Sequence, residues 1–334
     1  MPILAVAVVA LLAAGVLYQR VGTIRHRRRF APPGVLVRIH GHRLHLSCRG
    51  RGSPAVFLES AIAGSSLSWT KVDSHVARFT RVCSYDRAGL GWSDAPSSPR
   101  TFERIVDDLS AVIDHVAGDR CILVGHSFGS FVVRAYAMRR PERVVGLVLV
   151  DPAMEWLTMT PARARLLAGG QHLSRIGALL AHIGVVRVCL ALLSGGAPGV
   201  PRRFVKVFGP TAARTLERLV GEVRKLPVEL HPVVQSIWCQ PKCFRAMGAH
   251  MLTLHRDAAL IAAVMPPANI PVVVISSADQ PPERLEAHRT LAAQSRHGRH
   301  VIATQGAHWV QFDQPELVVE AARDLVLSWR QHYE

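Results

Sequence analysis

The sequence is poor in lysine, in acidic residues and in aromatic residues. Lysine supplies only four of the 40 basic residues, and 24 acidic residues leave a formal net charge of +16. An excess of this size suits an anionic surface such as acidic lipid. Nucleic acid would fit the charge as well, but the chain has no aromatic RNA-binding signature, zinc-finger spacing or helix-turn-helix pattern, and its arginines are dispersed. We therefore expect no nucleic-acid partner.

Closely paired cysteines and clustered metal ligands are missing too. The six cysteines are scattered, and three residues separate Cys239 from Cys243, where redox and zinc pairs have two. Because no group of ligands has metal spacing, we expect no metal and no organic cofactor. Cys83 and Cys121 fall in apolar stretches that predict buried strands, where a thiol acts as a small apolar group. These features favour a reducing compartment and no disulfide framework.

Charge is absent from the first apolar stretch, Pro2–Tyr18. As a helix this stretch would be about 25 Å long, at the short limit for crossing a bilayer core. A cleaved signal peptide is the alternative, since residues 13–15 are small, but no basic residue precedes the stretch. Five arginines follow it instead, namely Arg20, Arg25, Arg27, Arg28 and Arg29. We expect residues 1–30 to be a single membrane anchor with a basic flank, and the positive-inside rule assigns that flank and the domain behind it to the cytoplasm.

Beyond the anchor, apolar runs of strand character alternate with segments of helical periodicity. The predicted strands are Val35–Ile39, His42–Ser47, Ala55–Leu58, Thr80–Tyr85, Cys121–Val124, Val144–Val150, Pro271–Ile275 and His300–Thr304. The predicted helices are Leu67–Arg78, Phe102–Val116, one that ends near Arg140, Pro282–Ser295 and Pro315–Trp329. This alternation predicts an α/β fold with a parallel sheet buried on both faces. Residues 35–152 and 269–332 would form that core, and the helical residues 153–268 a cap over the carboxyl edge of the sheet, where ligands bind.

One short motif stands directly after a predicted strand, the pentapeptide Gly125-His126-Ser127-Phe128-Gly129. It has the pattern G-x-S-x-G of a nucleophile elbow, a strained turn that lifts a serine above the edge of a sheet. The glycines leave room for the close approach of the neighbouring strand and helix. By itself the motif also fits an ordinary turn rich in small residues. Ser127 is therefore a candidate nucleophile whose case depends on the other motifs.

Three motifs follow one another along the chain: Tyr85–Ser93, Gly125–Gly129, and Gly306–Trp309 with Gln314–Glu316. In this order they resemble the α/β-hydrolase fold family, over about residues 35–330. The resemblance implies an eight-stranded, mostly parallel sheet, an inserted helical cap and a serine–histidine–acid triad. Serine at position 127 separates the chain from the epoxide hydrolases and haloalkane dehalogenases of that family, which have aspartate there. The implied chemistry is hydrolysis of an ester, a lactone or a thioester.

The triad logic makes Ser127 the nucleophile and His308 its base. His308 follows the last predicted strand in a short loop that would return it over the sheet edge. The acid has two candidates, since the family order of serine, acid and histidine admits both Asp151 and Asp279. Asp279 follows the strand at Pro271–Ile275, the commoner position in the family, whereas Asp151 ends the strand after the elbow, a position that some branches use. The residues leave both open and favour Asp151 slightly.

Two backbone N–H groups are candidates for an oxyanion hole. The first belongs to Phe128, directly after the serine. Aligning the loop after Leu58 with the family's His-Gly turn makes the N–H of Ile62 the second. This chain has Ser60 and Ala61 in place of histidine and glycine, and a positive φ at Ala61 would cost on the order of 1 kcal/mol.

Two polar residues near these motifs receive structural interpretations. His126 precedes the nucleophile but should point away from it and pack. Asp313 is interpreted as the N-cap of the helix at Pro315, with Glu316 completing a capping box.

The cap is expected to supply a hydrophobic pocket. Leu173–Leu193 is strongly apolar and predicts a helix that faces either the core or lipid. Aromatic residues would line the pocket, namely Trp156, Phe204, Phe208, Trp238 and Phe244. The expected partner is a small hydrophobic acyl substrate, cleaved through an acyl-enzyme intermediate.

Two other functions fit the same motifs. A non-catalytic α/β-hydrolase scaffold would bind a ligand or partner without a reaction at Ser127. An acyltransferase or a cofactor-free peroxidase would use the same triad. All the residue types of the triad are present, which favours catalysis over the scaffold.

Overall fold

The structure is a computed structural model, and it describes residues 2–116, 120–194 and 225–333. Within these residues the chain forms an eight-stranded sheet. The strands are β1 Val35–Ile39, β2 His42–Arg49, β3 Ala55–Glu59, β4 Val82–Tyr85, β5 Cys121–His126, β6 Val144–Val150, β7 Val272–Ser277 and β8 Gly298–Ala303. Each corresponds to a strand that the sequence predicts, with small differences at the ends.

The strand order is β1-β2-β4-β3-β5-β6-β7-β8. The pairs β1–β2 and β2–β4 are antiparallel, and the other neighbouring pairs are parallel. The sheet is therefore mostly parallel, as the α/β pattern predicts. Because parallel strands end at the same edge, the residues after β3, β5, β6, β7 and β8 lie along one edge of the sheet.

Both faces of the sheet are buried, which explains the nearly continuous apolar character of its central strands. Along β5, Leu123 belongs to the core cluster on one face, whereas Ile122 and Val124 belong to the cluster on the other face. This alternation follows from the two-residue period of a strand. The core thus consists of two layers of side chains with the sheet between them.

The helices are α1 Pro2–Arg29, α2 Asp73–Val76, α3 Phe102–Val116, α4 Gly129–Arg139, α5 Pro161–His182, α6 Val185–Ser194, α7 His231–Trp238, α8 Pro241–Arg256, α9 Ala258–Ala262, α10 Pro282–Ala293, α11 Val310–Asp313 and α12 Pro315–Tyr333. The single helix predicted over Leu67–Arg78 is wrong, because a 3-10 turn at Ser66–Trp69 precedes the one-turn helix α2. Trp69, Val72 and Val76 are all buried. Two successive turns therefore satisfy the apolar spacing that predicted one helix.

The described residues between β6 and β7 contain helices and no strand. The helix predicted over Leu173–Leu193 is nevertheless wrong, because α5 and α6 are bent by 86° at a corner. Gly184 lies at this corner with a φ of +78°, a conformation that ends helices and that glycine adopts at little cost. Phe204 and Phe208, two of the expected pocket residues, lie outside the described residues.

α1 is long enough and apolar enough to cross a membrane, and no other single helix among the described residues is. Most of its side chains up to Tyr18 are exposed, among them Ile3 (85%) and Leu11 (75%). The part after Tyr18 contacts the rest of the protein, and Gln19 is buried there. Length and composition therefore support a membrane span over the first part of α1.

Two of the six cysteines form a disulfide, Cys48–Cys83. The expectation that Cys83 is a free buried thiol is wrong. The two residues stand directly opposite each other in the antiparallel pair β2–β4, where side chains are close enough to bond. The positions of cysteines along the chain do not reveal such a register, which explains the error.

Candidate active site

Ser127 lies at the tip of the turn between β5 and α4. Its φ is +52°, a strained conformation for a residue with a side chain. A Cβ atom on Gly125 would lie 2.7 Å from the carbonyl O of Gly129, and one on Gly129 would lie 2.5 Å from the carbonyl O of Glu59. The elbow motif therefore needs both glycines, because a side chain at either position would collide with the neighbouring backbone, as the motif predicts.

His308 and Asp151 are joined by a hydrogen bond of 2.6 Å from Nδ1 of His308 to Oδ2 of Asp151, across 157 residues of sequence. Asp151 directly follows β6, which is paired with the elbow strand β5, and His308 lies in the loop after β8. Since Asp151 engages Nδ1, Nε2 of His308 is the nitrogen that can take a proton from Ser127. No hydrogen bond joins Ser127 to His308 in the part of the chain that the structure describes, and such bonds often tighten only with substrate bound.

The carboxylate of Asp151 is held by residues that follow the neighbouring strand. Its Oδ1 accepts a hydrogen bond of 3.1 Å from the N–H of Ser277, and its Oδ2 accepts one of 2.5 Å from the side-chain amide of Gln280. Burial raises the pKa of Asp151, but the hydrogen bond and charge of His308, together with the hydrogen bond from Ser277, hold this pKa below its usual value. Asp151 is thus a buried carboxylate that stays ionised beside an imidazole.

Asp279, the other candidate acid, is exposed, and no hydrogen bond or ion pair joins it to His308 among the described residues. Its carboxylate accepts a hydrogen bond from the hydroxyl of Ser277. The segment that carries Asp279 instead supports Asp151, through Ser277 and Gln280. Of the two candidates, the structure brings only Asp151 to His308.

His126, expected from the sequence to be a packing residue, holds the backbone of His308. Its Nε2–H donates a hydrogen bond of 2.9 Å to the carbonyl O of His308, and its Nδ1 accepts one of 3.1 Å from the side-chain amide of Gln311. Burial lowers the pKa of His126 to about 3, so the ring is neutral and keeps this tautomer. The contact joins residues 182 apart, and no signal in the sequence points to it.

Asp313 fixes the loop that carries His308, and its interpretation as a helix N-cap is wrong. It is the last residue of α11, a turn that intervenes before α12. Its carboxylate accepts hydrogen bonds from the N–H of Ala307, at 3.1 Å, and from Nζ of Lys225. A side chain on Gly306, whose φ is +81°, would collide with Asp313. The acidic side chain therefore stabilises the turn before the histidine.

The loop that contains Ile62 is held through its carbonyl groups. Arg87 donates hydrogen bonds from Nη1 to the carbonyl O of Ser60, at 2.7 Å, and from Nη2 to that of Ala61. Arg87 also forms an ion pair with Glu59, the last residue of β3, and both side chains are almost fully buried. The motif Tyr85–Ser93 thus contributes an arginine that positions the loop, a role that its sequence does not reveal.

His250 of the cap helix α8 holds the next carbonyl group of the loop. Its Nδ1–H donates a hydrogen bond of 2.9 Å to the carbonyl O of Ile62, and its ring packs on Phe128 with the centroids 5.6 Å apart. Burial, with the charges of Arg87 and Arg100, holds the pKa of His250 well below its usual value, so the ring is neutral. Among the described residues, no group accepts a hydrogen bond from the backbone N–H of Ile62 or from that of Phe128. Both candidate oxyanion donors are therefore available.

Ala61 occupies its turn without the strain expected from the family's glycine. The non-glycine residues with positive φ in the described chain are His40, Ser127 and Asp151. Ala61 therefore lies outside the left-handed region, and the expected cost does not arise.

An apolar cluster joins the cap to the core beside these groups. It contains Ala61, Leu67, Trp309 and Phe312 from the core and Leu226, Val234, Ile237 and Cys243 from the cap. Trp238 packs against this cluster, whereas Trp156 packs against a different one and Phe244 lies against Gly177 of α5. The aromatic residues expected to form one pocket wall therefore lie in separate places.

Comparison with known proteins agrees with this architecture. A family model described as alpha/beta hydrolase fold matches residues 54–173, a range that includes the elbow and Asp151. The solved structure of epoxide hydrolase CorEH is similar in fold, with a TM-score of 0.61 at 19% identity, over 88% of this chain and 98% of that one. This chain has the α/β-hydrolase fold, with serine at the elbow.

Two curated relatives of this chain match over shorter stretches. The abhydrolase domain-containing protein abhd-5.2 of Caenorhabditis elegans is 32% identical over 154 residues, which are 45% of this chain and 34% of that protein. The 2-hydroxymuconate semialdehyde hydrolase of Pseudomonas sp. (strain CF600) is 33% identical over 116 residues, 34% of this chain and 41% of that enzyme. The chain thus spans less than half of the length of these relatives.

Proposed function

We propose that this protein is a serine hydrolase that cleaves an ester-type bond of a hydrophobic substrate through an acyl-enzyme intermediate. The observation that carries the proposal is the 2.6 Å hydrogen bond between His308 and Asp151, at the sheet edge that also bears Ser127 in its elbow. The fold and the hydrolase among the relatives support a hydrolytic reaction. The serine nucleophile and the ester-type bond are our inference from the residues.

In the first half-reaction, Nε2 of His308 removes the proton of the Ser127 hydroxyl while Oγ of Ser127 attacks the substrate carbonyl carbon, which forms a tetrahedral intermediate. Asp151 stays ionised, keeps the proton of the imidazole on Nδ1 and stabilises the imidazolium. The N–H groups of Phe128 and Ile62 meet the charge that develops on the carbonyl oxygen. Collapse of the tetrahedral intermediate breaks the bond between the carbonyl carbon and the alcohol oxygen of the ester. The leaving alkoxide takes the proton from His308, and Ser127 is left acylated.

In the second half-reaction, water replaces the leaving group. His308 removes a proton from the water while the water oxygen attacks the acyl carbon. The N–H groups of Phe128 and Ile62 again donate hydrogen bonds to the oxyanion. Collapse of the second tetrahedral intermediate breaks the bond between the acyl carbon and Oγ of Ser127, and Ser127 recovers its proton from His308. One water is consumed, and the products are an alcohol and a carboxylic acid.

The surroundings of the site favour an apolar acyl group. Ala61 belongs to the oxyanion loop and Trp309 follows the histidine, and both are part of the apolar cluster between core and cap. A pocket with such walls and a few polar groups binds apolar substrates better than charged ones.

We also propose that α1 anchors the protein as a single-pass helix in a cell membrane, with the catalytic domain in the cytoplasm. The apolar residues 2–18 and the five arginines that follow them support this orientation. The disulfide Cys48–Cys83 argues for the opposite side, since disulfides persist in oxidising compartments. Protease treatment of sealed right-side-out vesicles decides between the two: we expect the domain to be protected, and its digestion would mean that it is exported.

The function is tested by labelling the full-length protein in detergent with a fluorophosphonate, with Ser127→Ala as the control. We expect labelling and p-nitrophenyl ester hydrolysis in the wild type, with rates that depend on acyl chain length, and neither in the variant. A folded wild-type protein that is not labelled would contradict the proposal and favour the non-catalytic scaffold. Acyl transfer to an added alcohol in preference to water would identify an acyltransferase, and peroxide-dependent oxidation that needs Ser127 would identify a cofactor-free peroxidase.

A further inference from the structure

A buried arginine of the cap connects α6 to α1. Arg187 is 6% exposed. Its Nε donates a hydrogen bond of 2.9 Å to Oε1 of Gln19, its Nη2 one of 3.2 Å to Oγ1 of Thr23, and its Nη1 one of 2.9 Å to Nδ1 of His26. These partners are four and three residues apart, so they lie on one face of α1. One guanidinium thus binds about two turns of the helix that carries the apolar segment.

Two further contacts fix α1 against the cap. The side-chain amide of Gln19 donates a hydrogen bond of 2.9 Å to the carbonyl O of Cys239, at the end of α7. A Cβ atom on Gly15 would collide with the carbonyl O of Ile183, and one on Gly184 would lie 2.9 Å from the carbonyl O of Gly15. The backbones of α1 and of the α5–α6 corner therefore touch directly, in the way that small residues permit between packed helices.

The contact at Gly15 fixes the depth of the corner. Gly15 and Tyr18 lie inside the uncharged stretch 2–18, and Tyr18 also contacts the corner at Gly184. If a bilayer covers the exposed side chains of that stretch, it reaches the level at which α5 meets α6. The α5–α6 corner then lies within the membrane rather than above it.

The surface of the α5–α6 corner is apolar and carries only basic charge, which suits a position in the membrane. Leu179 is 62% exposed, Val188 45% and Leu192 53%. From residue 161 to residue 194 the sequence contains no aspartate or glutamate, but it contains four arginines. Exposed apolar side chains together with a purely basic charge fit acyl chains beside anionic headgroups.

We propose that the α5–α6 corner of the cap is a lipid-contacting surface that lies in the bilayer beside α1 and is held there by Arg187. The proposal rests on α1 being the membrane anchor, and it adds that the cap itself enters the same membrane. The cap over the candidate active site then meets apolar substrates from the lipid phase.

The depth of the corner is measured with the full-length protein in vesicles of phosphatidylcholine and phosphatidylglycerol. An environment-sensitive thiol probe is attached at Leu179→Cys or Leu192→Cys in a Cys189→Ser background, because Cys189 is the free cysteine that is not fully buried. Leu11→Cys on α1 is the membrane control, and Leu327→Cys on α12, 48% exposed, is the control on the core. We expect lipids brominated in their acyl chains to quench the probes at 179, 192 and 11 several-fold more than the probe at 327.

Quenching at 179 and 192 no stronger than at 327, while the probe at 11 is quenched, would overturn the proposal. Shielding of these probes that depends on protein concentration and not on brominated lipid would overturn it as well, because a second copy of the chain would then cover the corner. The readout needs no catalysis, so a failure of the proposed hydrolase activity would leave it intact.

The role of Arg187 is tested in the same assay. Arg187→Ala should lower the quenching of the probe at 179 towards the level of the core control, because α6 loses its hydrogen bonds to Gln19, Thr23 and His26 of α1. Arg175→Ala, which removes an exposed arginine of α5, should leave it unchanged. Near-UV circular dichroism and thermal unfolding of both variants report whether the core is still folded. Quenching that survives Arg187→Ala would overturn the role of this residue.

Discussion

The two sides of the candidate active site are held in different ways. On the acid–histidine side, the groups that bond to Asp151 and His308 come from the core, namely the N–H of Ser277 and the side chains of Gln280 and His126. On the side of the candidate oxyanion donors, both the core and the cap donate hydrogen bonds to the loop. Arg87 of the core binds the carbonyl groups of Ser60 and Ala61, whereas His250 of the cap binds that of Ile62.

This difference separates two properties of the enzyme that we propose. The proton-transfer pair is assembled when the sheet folds, because strands β6, β7 and β8 bring its parts to one edge. The loop with the candidate oxyanion donor Ile62 is held in addition by one hydrogen bond from the cap. Changes in the cap should therefore alter the rate of acyl transfer through the loop and leave the acid–histidine pair intact.

The strongest test of the acid–histidine side compares the two aspartates. Asp151→Asn should lower kcat/KM for p-nitrophenyl esters by about 10⁴-fold, since the imidazole loses the carboxylate that fixes its tautomer. Asp279→Asn is the matched control and should change it by less than about twofold, because an exposed side chain away from the histidine contributes little. Equal losses in both variants, or a larger loss in Asp279→Asn, would falsify the assignment of Asp151.

The oxyanion side is tested first at its buried ion pair. Arg87→Met leaves Glu59 buried without its partner, and we expect the free energy of unfolding to fall by about 3–5 kcal/mol. Adding Glu59→Gln should recover a large part of that loss, because no uncompensated charge then remains buried. Thermal and denaturant unfolding in detergent measure both changes. A double variant no more stable than Arg87→Met would show that packing around the arginine, rather than the charge pair, matters.

The contribution of the cap is tested at His250. His250→Phe removes the donor to the carbonyl O of Ile62, and we expect kcat to fall by up to about 10²-fold with little change in KM, because the N–H of Ile62 is then less well positioned for the oxyanion. His250→Asn, whose amide can donate from nearly the same position as Nδ1, should retain most of the activity. If the asparagine variant were as slow as the phenylalanine variant, the hydrogen bond would not be the reason for the loss.

The smallest effect is expected from pH, through His126. Its pKa is about 3 in the folded protein and about 6.5 in an unfolded chain, so the unfolded state takes up the proton first. The stabilisation is complete above about pH 6.5 and is lost as the pH falls towards 3, by about 2 kcal/mol at pH 5. His126→Gln keeps a donor for the carbonyl O of His308 and should reduce the loss of stability between about pH 7.5 and pH 5 by that amount.

Unfolding of wild type and His126→Gln at the two pH values measures this difference. Other buried histidines, such as His250 and His288, also have a lowered pKa. They contribute to the pH dependence of both proteins equally and cancel in the comparison. An identical pH dependence in the two proteins would mean that His126 is not buried in its neutral form.

The sequence alone determined the features that depend on neighbouring residues. The alternating pattern gave every strand of the sheet, and the elbow around Ser127 follows from two glycines at fixed spacing. The membrane-length helix α1 is likewise a matter of composition. The order of motifs was enough to reach the α/β-hydrolase fold, because each motif has its own place along the chain.

Contacts between distant residues were decided by the tertiary structure. Which of Asp151 and Asp279 bonds to His308 depends on which strand end faces that histidine, and the Cys48–Cys83 bond depends on the register of β2 against β4. The bonds from Arg187 to α1 join residues up to 168 apart. A local pattern fixes the conformation of a segment, but these contacts depend on how segments pack, and packing is a property of the whole chain.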